Sequence, residues 1–199
     1  MSLIYILDLL GTFVFASTGA IRAIEKRLDL FGIFVLSFIT AVGGGTIRDV
    51  ILGSRPFYFF DVNYSIAILL GVLFVIILRN EVKKYQQMLV YLDALGLGTF
   101  SIIGSIKAIE SSIPDIGILI SGLITGIGGG IIRDILVKEI PFVLEKEVYA
   151  TASIAGVVLF MILERNELLP TSVSIWISIF TVFGIRVFTY HLKVNLPKF

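Results

Sequence analysis

The chain contains no cysteine and a single histidine, His191. Disulfide frameworks and thiolate metal sites are therefore excluded, and a histidine-rich metal centre has no ligands to draw on. Charge is scarce: 16% of the residues are Asp, Glu, Lys or Arg, against about 25% in an ordinary soluble domain. The balance of 16 basic and 15 acidic residues leaves +1, too little for a nucleic-acid partner held by bulk phosphate contacts. What fills the space is apolar, with 57% hydrophobic residues among 199 and a mean hydropathy of +1.00. A globule of this size cannot bury so much apolar surface, so the surrounding solvent is lipid.

A membrane-crossing helix needs about 20 mostly apolar residues, with a range of about 17–25. Seven stretches qualify: Leu3–Ile21, Leu30–Ile47, Val62–Leu78, Met88–Ile106, Ile116–Ile132, Val148–Leu163 and Leu168–Ile185. The first has no basic residue before it, so it reads as a span and not as a cleaved leader. The links between stretches are short, and the chain reads as one transmembrane domain over 1–199. Basic residues divide unevenly. Arg22, Lys26, Arg27, Arg79, Lys83, Lys84, Lys138, Lys146, Lys193 and Lys198 fall on one side, and Arg55, Lys107 and Arg165 on the other. Basic loops stay cytoplasmic, which puts the N-terminus outside and the C-terminus inside a cell membrane.

Shifted by 85 residues, the sequence matches itself. LDLLGTFVFASTGAIRA at 7–23 lies over LDALGLGTFSIIGSIKA at 92–108, with eight of seventeen positions identical. GGGTIRD at 43–49 lies over GGGIIRD at 128–134, Pro56-Phe57 over Pro141-Phe142, Tyr64 over Tyr149, and Gly71 over Gly156. Shared apolar composition explains matched Leu and Ile but not matched Asp, Arg, Pro and Gly. The repeats span 3–79 and 88–164, and a seventh helix at 168–190 lies outside them. Each repeat holds three spans, an odd number, so the second copy enters the membrane with opposite polarity. Inverted repeats of this kind place a functional site near the midplane, where the copies meet.

Two triplets stand out, Gly43, Gly44, Gly45 and Gly128, Gly129, Gly130. Each glycine costs a helix about 1 kcal/mol relative to alanine, and the pattern predicts that helices 2 and 5 break there and line a cavity. Close helix packing is the plainer alternative. Six charged residues recur in register within the spans: Asp8, Arg48 and Asp49 in the first copy, Asp93, Arg133 and Asp134 in the second. Charges at membrane depth face the bundle interior and mark ion or substrate paths. Four acids and two bases favour cations. On the structural side, Asp8 and Asp93 are readable as simple helix-start charges, and Asp49 and Asp134 as stabilisers of a half-helix N-terminal turn. Phe57, Tyr58, Phe59 and Phe60 read as an interfacial aromatic belt, and Ser111-Ser112 as a helix-start cap.

The doubled GGGxIRD, the 85-residue repeat, the leading LDxLG and the seventh helix together resemble the prokaryotic branch of the trimeric intracellular cation channel family, over about residues 5 to 185. That resemblance implies seven helices, an hourglass pore in each protomer flanked by helices 2 and 5, a homotrimer in membrane lipid, and permeant potassium with less selective sodium. It also implies hinges at Gly43–Gly45 and Gly128–Gly130 and pore-facing charges at Arg48, Asp49, Arg133 and Asp134. No cofactor or metal is expected, and no enzymatic activity, since no serine, cysteine and histidine share one depth. A secondary transporter of a small amino acid such as glycine fits the inverted repeat equally well. The scarcity of polar groups near the triplets, mainly Thr40, Thr46 and Thr125, speaks against a zwitterion site.

Overall fold

The computed structural model describes residues 2–78, 82–145 and 148–192. Of the basic residues in the orientation count, Arg79, Lys146, Lys193 and Lys198 lie outside the described residues, as do the side chains of Lys83 and Lys84. The described residues form eight α-helices: α1 Leu3–Glu25, α2 Leu30–Ile51, α3 Val62–Leu78, α4 Val82–Glu110, α5 Asp115–Leu136, the short α6 Phe142–Glu145, α7 Val148–Arg165 and α8 Thr171–Leu192. Six are long and apolar enough to cross a membrane, and α3, at 17 residues, sits at the lower limit.

The 85-residue period carries into the backbone. The end of α2 is matched by the end of α5, and the 3-10 turn Phe57–Phe59 by α6. The left-handed residues that close the helices also match, Arg27 with Ser112 (φ 57° and 56°) and Gly53 with Lys138 (φ 69° and 59°). One cap differs. Asp29 accepts from the Gly32 amide at 2.7 Å to start α2, whereas its counterpart, Pro114, starts α5 with no side-chain cap. Ser111 and Ser112 are not that cap: Ser111 Oγ donates to the Lys107 carbonyl and so finishes α4.

The glycine triplets do not break their helices. α2 and α5 run continuously through them, and the reason lies in what each triplet faces. A Cβ on Gly44 would stand 2.3 Å from the Thr125 carbonyl oxygen, and one on Gly129 2.2 Å from that of Thr40. Gly43 faces Gly129, and Gly128 faces Gly44. The helical cost of glycine is offset by a backbone-to-backbone crossing that no side chain permits. These contacts interchange under the 85-residue shift, because Thr40 and Gly129 become Thr125 and Gly44. Residue numbers rise on one helix as they fall on the other, so α2 and α5 run in opposite directions about a local two-fold.

α8 breaks the symmetry. Gly71 on α3 packs on the Phe13 carbonyl of α1, but its counterpart Gly156 on α7 packs on Val182 and Ser178 of α8. The sequence allows this because the counterpart of Phe13 is Gly98, against which the Ile179 carbonyl rests. α4 is consequently the most enclosed long helix, with 83% of its apolar window buried against 33% for α7 and for α8.

Candidate functional site: two buried charge clusters

From the glycine crossing α2 and α5 each run four residues further to an arginine, in opposite directions. Arg48 and Arg133 lie in the last helical turns, where a cation is favoured by the carbonyl end of the helix. Asp49 and Asp134 share those turns, at helix ends and not at half-helix starts as the triplets had implied. Their carboxylates are compensated twice. Arg48 Nε and Nη2 donate to Asp49 Oδ1 at 2.8 and 2.7 Å, and the Phe57 amide approaches Asp49 Oδ2 at 3.3 Å. Likewise Arg133 Nε donates to Asp134 Oδ1 at 2.8 Å and the Phe142 amide to Asp134 Oδ2 at 3.0 Å. The following ring lies against the guanidinium, 5.9 Å away for Phe57 and 5.5 Å for Phe142. GGGxIRD and Pro-Phe are thus one module, in which proline aims the next amide at the aspartate. Phe57 is a packing residue, T-shaped on Tyr64 at 4.5 Å, whereas Phe59 and Phe60 are exposed as a belt requires.

The third charge separates the two clusters. Arg133 is fully buried, and its Nη1 also donates to Asp93 Oδ1 at 2.9 Å and to Thr18 Oγ at 3.1 Å. Asp93, fully buried, lies well inside α4, which begins at Val82; it is no helix-start charge. Asp8, also buried, has no ion pair among the described residues. Its Oδ2 accepts from the Tyr64 hydroxyl at 2.9 Å, and its Oδ1 has no hydrogen-bond partner. One difference between the repeats accompanies this. Thr18, which anchors Arg133 across α1, is replaced at the matching position of α4 by Ile103, which offers Arg48 no hydroxyl.

The structure brings together Arg133 with Asp93 and Asp134, and Arg48 with Asp49, and shows no ion pair between Arg48 and Asp8 among the described residues; sequence reasoning leaves open which aspartate each arginine meets. It missed Thr18, Tyr64, Tyr149 and Arg186 as participants. The two tyrosines were visible as a matched pair. Arg186 has no repeat counterpart; it is 4% exposed, and its guanidinium lies 4.4 Å from the Tyr149 ring centre.

Among the described residues, a strap closes over the second cluster and not the first. Glu139, on the turn after α5, takes Lys26 Nζ at 2.7 Å and Arg22 Nη1 at 3.3 Å, and Arg22 stacks on Phe142 at 4.8 Å. The matching position is Ser54. The hydrogen bond from Lys26, with Arg22 alongside, holds the Glu139 carboxyl below its usual range, against partial burial. A depressed folded value stabilises above the unfolded value of about 4.3 and loses that contribution as pH falls through the folded one. Glu139→Gln is therefore expected to lower thermal stability at pH 7 by no more than about 1 kcal/mol, since the strap is part-exposed. The difference from wild type should shrink in melts as pH falls below about 4.3 and through the lower folded value.

The fold and site together define a small multi-helix membrane protein built from two oppositely running copies of one three-helix unit, each carrying a buried Arg-Asp cluster. A family model described as "Glycine transporter" matches residues 5–80 and again 90–165, one match per copy. The chain belongs to this family. Among its relatives, the UPF0126 membrane protein of Vibrio cholerae is 40% identical over 100% of this chain and 83% of its own length. The UPF0126 inner membrane protein YadS of Escherichia coli K12 is 37% identical over 99% and 96%. Among solved structures, the TRIC trimeric intracellular cation channel orthologue from Rhodobacter sphaeroides superposes with a TM-score of 0.91 at 30% identity, covering 98% of this chain and 100% of that one. A TRIC cation channel solved to explain conductance gives 0.87 at 35% identity, covering 100% and 98%. The fold is that of the prokaryotic TRIC channels.

Proposed function

We propose that the protein is a passive channel for monovalent cations, potassium foremost, assembled as a homotrimer with one path per protomer and seven membrane crossings. The N-terminus faces outward and the C-terminus the cytoplasm. The observation that carries this reading is the pair of buried, net-acidic-to-neutral clusters at opposite ends of the α2–α5 crossing, in a chain that aligns end to end with cation channels. Carboxylates set against a low-dielectric wall attract cations, and arginines held by them form barriers that movement of α2 against α5 would shift. The close-packed crossing at Gly43–Gly45 and Gly128–Gly130 serves as the hinge in this reading. No cofactor takes part.

The description of the family model favours a second reading, transport of glycine. Against it, the hydroxyls near the triplets are engaged with their own helices: Thr40 and Thr125 donate to the carbonyls of Leu36 and Ser121, and Thr46 to that of Val42. Purified protein in potassium-loaded liposomes should release potassium down its gradient without added glycine. Release that requires glycine on the opposite side would establish the transporter instead.

A further inference from the structure

Arg186 is the one buried arginine outside the repeat. It comes from α8, is held by the Tyr149 ring, forms no salt bridge among the described residues, and leaves its Nε without a hydrogen-bond partner. Tyr149 lines a narrow hollow with Gly130, Asp134 and Phe142, so this charge is added to the second cluster. By the repeat alone the clusters would be equal, each with two carboxylates and one guanidinium. With Arg186 the second has two of each and is formally neutral, while the first, Asp8, Arg48 and Asp49, keeps one formal negative charge.

We propose that Arg186 makes the conduction path electrically asymmetric, so that the protein rectifies, passing cations more readily when they enter from the Asp8 end. This rests on the channel reading. A charge at a water-poor mouth raises or lowers the local cation concentration there, and Asp8, with no ion pair among the described residues, stands at the first mouth while Arg186 cancels the equivalent attraction at the second.

The test is current recording from inside-out patches of bacterial spheroplasts expressing the chain, where membrane insertion fixes sidedness, in equal KCl on both sides. Wild type should show currents differing roughly twofold or more between opposite voltages at about 0.1 M salt, where charges act over about 10 Å, and far less at about 1 M, where the reach is about 3 Å. Arg186→Gln and Asp8→Asn should each bring the ratio towards one by opposite routes. Arg186→Gln raises the current entering at the second mouth, and Asp8→Asn lowers the current entering at the first. Arg186→Lys, which keeps the charge, should keep the ratio. A role confined to packing on Tyr149 would not produce this opposed pair. A linear wild-type current, or a ratio unmoved in both neutral variants, overturns the inference while leaving the channel. Absence of any current from folded protein overturns the channel reading and the inference with it.

Discussion

Arg133→Gln is expected to destabilise the protein more than any other single removal of charge, by about 3–5 kcal/mol, the usual cost of leaving a buried carboxylate without its partner. Arg133 is fully buried and holds three groups from three helices: Asp134 on its own helix, Asp93 on α4 and Thr18 on α1. Glutamine leaves the buried carboxylates of Asp93 and Asp134 without the guanidinium they share. The double variant Arg133→Gln with Asp93→Asn should recover a large part of the loss, since the Phe142 amide still serves Asp134. Arg48→Gln should cost distinctly less, because among the described residues Arg48 pairs with Asp49 alone and Asp8 already has Tyr64. Thermal unfolding of the purified protein in detergent ranks the three. Equal losses for Arg48 and Arg133 would mean that the Thr18–Ile103 difference does not separate the clusters as described.

The second large effect is expected at the glycine crossing, and it should be uneven within a triplet. Gly129→Ala and Gly44→Ala drive a methyl to 2.2 and 2.3 Å from backbone oxygen, which no rotamer change relieves, so α2 and α5 must separate. Overpacking of this kind costs about 1–3 kcal/mol or more, set against the gain of about 1 kcal/mol that alanine brings to a helix. At Gly130 the nearest atom to an added methyl is the Tyr149 hydroxyl at 3.4 Å, and at Gly184 nothing lies within 4 Å. Gly130→Ala should be near neutral and Gly184→Ala neutral or stabilising. Melting temperatures of the four variants decide whether the triplets act by close packing. If Gly129→Ala and Gly130→Ala behaved alike, a local break of the helix would be the better account.

These two sets of variants mark what was legible in the sequence. The repeat was legible because charged and conformationally special residues recurred in register, and the structure carries that register down to its left-handed residues. Which aspartate each arginine meets was not legible, since charges that recur in register do not name their partners. The continuity of α2 and α5 was not, since a glycine's cost to a helix is read locally, while the carbonyl that offsets it sits on another helix, Thr125 for Gly44 and Thr40 for Gly129. The unequal clusters turned on single differences, Thr18 against Ile103 and Glu139 against Ser54, which the eye passes over when looking for likeness. Arg186 was hidden by standing outside the repeat.

The central claim, that the chain is a passive cation path and not a coupled carrier, is tested most directly by single-channel recording in planar bilayers with asymmetric potassium chloride, with glycine uptake measured in liposomes from the same preparation. The account predicts discrete unitary currents that reverse near the potassium equilibrium potential, with no accumulation of glycine. Silent bilayers, together with saturable glycine uptake driven by an ion gradient, would contradict it.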